Sequence, residues 1–275
     1  MNPIIQQLHD LVLEPGEAAF CRLGQHSFLV KAGTKIIAFD PYLSPDPGRL
    51  IPPLIKPEEM EGLSLIFGSH DHDDHINRSI LSAMSEASPD AMFVVPRAVK
   101  DSICEIPSSR MIGMNDPEEI CIDGITIRAV AAAHEFLDQT EEGLYPYLGF
   151  LVSFGGISVY HAGDCCVYEG LLSKLSSDPP DAMLLPINGR DARRLQADCI
   201  GNMTYQEAAD LAGWSGTKWV LPAHYDMFAM NLENVQLFLD YVHVKYPALQ
   251  TTELMPGKIA VLKLNSDPKN KEIHT

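Results

Sequence analysis

Apolar residues recur along this chain with two periods, and the switches between them mark out the elements. Short alternating or continuous apolar runs between turn residues predict strands; apolar positions three and four apart predict helices. Residues 18–40 hold three closely spaced runs, A-A-F-C-R-L, H-S-F-L-V-K and K-I-I-A-F-D. Turns at Gly24-Gln25 and Ala32-Gly33-Thr34 separate them. The Pro- and Gly-rich stretch 41–57 predicts a loop, and L-S-L-I-F-G-S (63–69) predicts a buried strand. Ile76, Ile80, Leu81 and Met84 follow at helical spacing. A-M-F-V-V (91–95) predicts a strand, with a helix from about Arg97, and I-T-I-R-A-V-A-A-A (125–133) predicts a strand ending at His134.

A second half begins near Tyr147. Y-L-G-F-L-V-S-F and I-S-V-Y-H-A-G-D predict a hairpin about Gly155-Gly156, and A-M-L-L-P-I (182–187), K-W-V-L-P-A (218–223) and a final K-I-A-V-L-K-L predict further strands. Helices are expected at 168–176, 204–213 and 233–244, the middle one opening on a capping box, Thr204-x-x-Glu207. Strands and helices are mixed throughout, so the expectation is one α/β domain over 1–275 in two pseudo-halves, roughly 1–146 and 147–275. Sheets covered by helices would leave a site at their edges.

Composition narrows the partners. With 20 basic and 37 acidic residues the formal charge is −17, a poor match to nucleic acid, whose binders neutralise phosphates with Lys and Arg. A small anionic substrate remains compatible, because a metal site brings its own positive charge. The six cysteines, Cys21, Cys104, Cys121, Cys165, Cys166 and Cys199, form no C-x-x-C pair and read as reduced and mostly buried. The N-terminus lacks the basic and apolar regions of a signal peptide, and no apolar run is long enough for a bilayer. A cytoplasmic protein without membrane contact is expected.

The densest chemistry lies at S-H-D-H-D-D-H, Ser69 to His75. His70 and His72, two apart on extended chain, would point to one side and hold one cation. Asp74 and His75, at the turn into the next helix, would hold a second. Too few donors are present for both, so others must come from later in the chain. His134, Asp164 and His224 each stand just past a strand. His134 would join His70 and His72, His224 would join Asp74 and His75, and Asp164 would bridge, leaving room for water. Each of the later histidines taken alone is more often an ordinary hydrogen-bonded residue. Two adjacent cations lower the pKa of water, so hydroxide attack on a carbonyl or phosphorus is expected, with Asp74 taking the proton.

The ordered set H-D-H-D-D-H, His134, Gly163-Asp164 and His224 resembles the metallo-β-lactamase superfamily over the whole chain. The resemblance implies a four-layer αβ/βα sandwich with a dinuclear site at the joined sheet edges. It implies support of the ligands by Asp40 in I-A-F-D-P-Y; a simple turn-initiating aspartate before Pro41 is the alternative. L-G-Q from Leu23, Y-H-A-G-D, P-I-N-G-R, G-N-M-T and P-A-H-Y-D further resemble the L-ascorbate-6-phosphate lactonase branch. That likeness implies a lactonase acting on a small phosphorylated lactone, with manganese, or alternatively zinc, iron or nickel, and a homo-oligomer.

Arg190 is the candidate phosphate ligand, since guanidinium matches phosphate bidentately; a surface pair with Asp191 is the alternative. Asn188 and Tyr225 are candidates for orienting substrate. His26, in the first hairpin turn, is either structural or reaches the cleft, and His161 falls off the metal-facing side of its strand. Cys165 and Cys166 read as packing residues, Trp214 and Trp219 as core or interface, and His9, His243 and His274 stand apart. A phosphodiesterase or nuclease is the alternative enzyme, and a non-catalytic metal-binding protein the alternative of another class.

Overall fold

The computed structural model describes residues 1–264 of the chain; His274 lies outside them. Two sheets of seven strands stack face to face. The first is built from β1 (Glu17–Gly24), β2 (Ser27–Ala32), β3 (Lys35–Phe39), β4 (Leu65–Phe67), β5 (Met92–Pro96) and β6 (Met111–Met114). The second holds β7 (Glu119–Ile122), β8 (Ile125–Ala131), β9 (Leu148–Phe154), β10 (Ile157–His161), β11 (Ala182–Pro186), β12 (Trp219–Ala223) and β13 (Gln250–Thr251). The last strand, β14 (Ile259–Lys263), returns to pair antiparallel with β1.

The halves mirror each other. In the first sheet β1, β2 and β3 alternate direction and β3 to β6 run parallel. In the second, β7 to β10 alternate and β10 to β13 run parallel. The crossing between sheets lies at the N-D-P-E turn between Met114 and Glu119, earlier than the expected division at 146. The apolar run 125–133 pairs with β9 and so belongs to the second sheet. Two short strands, β6 and β7, are four residues each, too short to stand out in the sequence.

Alternation along the strands sorts side chains into layers. Ala18 and Phe20 of β1, Phe39, Phe67 and Val94 face Ile127, Phe150, Val152, Val159 and Leu184 across the sandwich. Ala19, Cys21, Ala38 and Phe93 face outward, under α1 (Pro3–Asp10) and α2 (Arg78–Ala87). On the second sheet Leu151, Tyr160, Met183 and Val220 face α4 (Leu171–Ser176), α6 (Tyr205–Ser215) and α7 (Val235–Lys245). Two short helices, α3 (Arg97–Lys100) and α5 (Ala192–Gln196), complete the set. This is the expected four-layer sandwich. Phe20, Phe39, Phe67 and Phe150 are fully buried, and truncating one such ring costs about 3–5 kcal/mol.

The Thr204–Glu207 capping box is formed, with the Thr204 side chain accepting from the Glu207 N–H and Glu207 accepting from the Thr204 N–H. Trp214 is 61% exposed rather than core. All six cysteines are free, and Cys165 and Cys166 are packed inside. No helix among the described residues is long and apolar enough to cross a membrane.

Candidate metal centre

Strands running the same way end at one edge of the sandwich. Gln25 follows β1, Asp40 follows β3, Ser69 to His75 follow β4, His134 follows β8, Asp164 follows β10 and His224 follows β12. The carboxyl ends of like-directed strands are where α/β sheets leave room for ligands. Gly163 is required in this arrangement. Its φ is +60°, and a Cβ there would lie 2.8 Å from the Ser69 Cβ and 2.9 Å from the Leu148 carbonyl oxygen.

Two triads of donor atoms form, each within 4.8 Å: His70, His72 and His134, and Asp74, His75 and His224. Asp164 stands between them. Its Oδ2 is 3.9 Å from His134 Nε2, and its Oδ1 is 3.3 Å from His75 Nε2 and 3.2 Å from His224 Nε2. All seven predicted donors are therefore brought together, in the predicted grouping. The local route differs from the expected one. His70 and His72 do not lie on extended chain; the backbone turns between them, with the His72 N–H donating to the His70 carbonyl at 3.0 Å, and turns again as the His75 and Ile76 N–H groups donate to the His72 carbonyl. The rings of His70 and His72 meet through that turn, Nε2 to Nδ1 at 3.0 Å.

Asp40 orders this turn. Its Oδ1 accepts the Ser69 N–H at 2.8 Å, and its Oδ2 accepts the Ser69 hydroxyl at 2.6 Å. The same Oδ2 lies 2.6 Å from His75 Nδ1, so the imidazole presents Nε2 to the centre, an orientation that metal-ligating histidines commonly receive from a carboxylate. His161 and His26 lie beneath. Gly163 donates to His161 Nδ1 at 3.2 Å, which leaves His161 Nε2 to donate to the His26 carbonyl at 2.9 Å. The His161 ring stacks on Phe39 with centroids 4.9 Å apart. His26 is fully buried, its Nδ1 3.9 Å from Asp164 Oδ1; it supports the floor and does not line the cavity.

The electrostatics divide the two triads. Burial, reinforced by neighbouring imidazoles, holds His70 well below the usual histidine range, and burial lowers His134. Both are neutral, the form that ligates. Burial would lift Asp164 and Asp74, yet the surrounding histidines hold both carboxyls well below the usual range. Burial would depress His75, but Asp164, Asp74 and Asp40 outweigh it and hold it well above. Charge is thus concentrated around Asp164, and a cation could take the place of protons there. The donor atoms fit one. His75 Nε2, His134 Nδ1 and Asp164 Oδ1 are buried with no hydrogen-bond partner, a cost that coordination would remove.

A cavity of about 300 Å3 opens above the donors. Beyond the ligand residues it is lined by Gln25, Asp198, Cys199, Ile200, Phe228, Met230 and Asn231, with no Lys or Arg among the described residues. Arg190 lies instead in an adjoining hollow that shares Cys199 and Ile200. Its guanidinium is held bidentately by Glu207, at 2.6 and 2.7 Å, while Asp191 pairs with Arg194. Asn188 is buried and reaches the centre only through Asn231. It donates to Asn231 Oδ1 at 2.6 Å, and Asn231 Nδ2 lies 3.3 Å from His224 Nδ1. Tyr225 points away, its ring under the Arg22 guanidinium at 4.8 Å. Arg22 in turn donates twice to Asp226, at 2.8 and 2.7 Å, and once to the Leu254 carbonyl. As placed, Asn188 and Tyr225 brace the centre and do not face a ligand in the cavity.

Sequence reasoning missed Gln25, Ser69 and Asn231, which touch the donors, and Asp198, Ile200, Phe228 and Met230, which line the mouth. One structural signal marks two of them, Gln25 and Asp198. Six non-glycine residues among those described have positive φ, and five of these, Gln25, Asp40, Glu135, Asp198 and His224, lie in the centre or beside it. Such strained backbone tends to collect at functional sites.

Residues 35–225 match the family described as "Beta-lactamase superfamily domain". Among its curated relatives, the chain is 33% identical to a UPF0173 metal-dependent hydrolase of Thermococcus kodakarensis, over 86% of this chain and 96% of the relative. Its fold is similar to that of Igni18, a metallo hydrolase from Ignicoccus hospitalis, with a TM-score of 0.68, 20% identity, and 90% and 98% of the two chains covered. A possible metal-dependent hydrolase from Veillonella parvula also gives a TM-score of 0.68, at 14% identity, with 89% and 99% covered. At that identity the structural likeness speaks to the fold alone.

Proposed function

The chain belongs to the metallo-β-lactamase superfamily and, within it, to the UPF0173 metal-dependent hydrolases, and from that premise we propose that it opens a small lactone or carboxylic ester. The observation that carries this reading is the pair of donor triads meeting at Asp164 beneath a small cavity. His70, His72 and His134 would hold one divalent cation, Asp74, His75 and His224 a second, and Asp164 would serve both. Five imidazoles with two carboxylates suit manganese or zinc. Bound cations would supply a water of lowered pKa and a Lewis acid for the carbonyl oxygen.

The protein's own groups do the rest. Of the two donor carboxylates Asp74 is the more open to the cavity, its side chain 24% exposed against 6% for Asp164, and it is ionised. It accepts the proton of the attacking water as the new C–O bond forms. The bond from the acyl carbon to the ring or ester oxygen breaks, and Asp74 returns the proton to that oxygen, giving acid and alcohol. Ile200, Phe228 and Met230 give the cavity an apolar side. A cavity of about 300 Å3 stands at the small end of ligand sites.

The finer reading is a phosphorylated lactone. It rests on the P-I-N-G-R and P-A-H-Y-D likeness and on Arg190 in the adjoining hollow, where a phosphate would replace Glu207 as the guanidinium's partner. The test is hydrolysis of L-ascorbate 6-phosphate and of L-ascorbate by manganese- or zinc-loaded protein, with Asp164→Asn as control. Turnover in the wild type alone supports the hydrolase, and preference for the first compound supports the phosphate. Turnover that survives Asp164→Asn rules out the assigned centre.

A further inference from the structure

We infer that Gln25 is a positioning residue for the second cation and for the proton acceptor Asp74, acting through its side-chain amide. Gln25 ends the L-G-Q stretch and sits at the tip of the hairpin between β1 and β2. Its Nε2 lies 2.7 Å from Asp74 Oδ2 and 3.0 Å from His224 Nε2. A carboxylate can only accept, so the amide presents its nitrogen to Asp74. One side chain therefore spans two of the three donors of the second triad, which lie far apart in sequence. It is buried, 2% exposed, yet borders the cavity.

The backbone points the same way. Gln25 has φ +51°, a conformation glycine would adopt without strain. The preceding Gly24 has φ +105°. A tight turn by itself gives no reason for a long amide side chain at a left-handed position. The main chain already has its own task, since the Gln25 carbonyl accepts the His224 N–H at 2.9 Å. That bond anchors the strand end whatever the side chain is, so side-chain variants isolate the amide.

The chemistry depends on what each contact can do once a cation takes the His224 Nε2 lone pair. The amide would give up its contact to His224 and keep its donation to Asp74 Oδ2. That hydrogen bond would restrain the Asp74 carboxylate, both as a donor to the cation and as the acceptor of the proton. Supporting hydrogen bonds of this kind typically change metal affinity or activity by about 10–100-fold when removed. The inference rests on the two-cation reading, and the experiment separates the two.

Metal-free wild type, Gln25→Met and Gln25→Glu are titrated with manganese or zinc against a chromophoric chelator, and melting temperatures of the metal-free proteins are recorded. Wild type is expected to bind two equivalents. Gln25→Met, which keeps length and loses the donor, is expected to bind the first equivalent as wild type does and the second about 10–100-fold more weakly. Its kcat should fall with KM nearly unchanged. Gln25→Glu, which adds a carboxylate, is expected to restore or tighten the second equivalent while leaving kcat low. Two equivalents bound equally well by wild type and Gln25→Met overturn the inference alone. Equal weakening of both equivalents with a lowered melting temperature also overturns it, since the amide is then merely structural. A single equivalent in the wild type overturns the two-cation reading along with it.

Discussion

The donor cluster and the rim of the cavity above it are built from different kinds of chain. The donors sit directly on strand ends, are mostly buried, and are fixed by neighbours of the same kind: Asp40 holds His75 and Ser69, Asn231 holds His224, and Gln25 holds Asp74. The rim comes from the loop around α5 and from residues 228–232. Side chains there are exposed, Leu195 by 62% and Met230 by 50%, and two of its cations, Arg190 and Arg194, are paired with Glu207 and Asp191. On the proposed reading, chemistry sits on strand ends and recognition on exposed loops, the division that lets one fold serve many substrates. A change in the cluster should be felt as lost metal or lost turnover. A change in the rim should be felt as altered substrate preference.

The sharpest test of the first half is Asp164→Asn. One neutral amide replaces the carboxylate shared by both triads, so both equivalents of metal should be lost and turnover should fall to background. Metal analysis after dialysis and an ester assay read the two effects, and retention of either equivalent would break the shared-carboxylate assignment. Next in size is Asp226→Ala, two residues beyond His224. It strands the guanidinium of Arg22, whose side chain is 1% exposed. Removing one partner of a buried pair costs about 3–5 kcal/mol. Chemical denaturation should show that loss, with the metal content of the remaining folded protein unchanged. Smaller again is Asp40→Asn, which keeps the shape but weakens the hold on His75 and Ser69; metal affinity or kcat should drop about 10–100-fold. A null effect would reduce Asp40 to the turn-forming residue that Pro41 after it also suggested.

The same contrast explains what could be read from the sequence. Coordination demands particular side chains at close spacing, so H-D-H-D-D-H announces itself, and the later donors stand at the ends of recognisable strands. The strands of the central layers were legible because their apolar runs are long. The segments β6 and β7 were not, being only four residues each, and with them went the crossing point between the sheets. Nor was the eight-residue α1, which buries only Ile5 and Leu8. Partner choice among charged residues was hidden for a different reason. Arg22 finds Asp226 across 204 positions, and Arg190 passes over the adjacent Asp191 for Glu207, 17 positions on. Such pairs are selected by tertiary geometry, which no local pattern encodes. Left-handed backbone at Gln25 and His224 is equally silent in the sequence.

Arg190→Met tests the second half of the comparison and carries the smallest expected effect. The pair with Glu207 is substantially exposed, 42% and 34% on the two side chains, so its loss should cost stability no more than about 1 kcal/mol. The Thr204 cap on α6 is retained, because Glu207 still accepts the Thr204 N–H. Metal content and kcat on L-ascorbate 6-phosphate should match the wild type, since Arg190 lies outside the cavity over the donors. If a substrate phosphate displaces Glu207 from the guanidinium, KM for that compound should rise about tenfold, the scale of a lost charge-assisted hydrogen bond, while KM for L-ascorbate stays put. A KM that moves for neither compound would remove phosphate recognition from this rim and leave Ile200, Phe228 and Met230 as the surfaces that choose the substrate. A kcat that falls with Arg190→Met would join rim and cluster into one unit and undo the division between them.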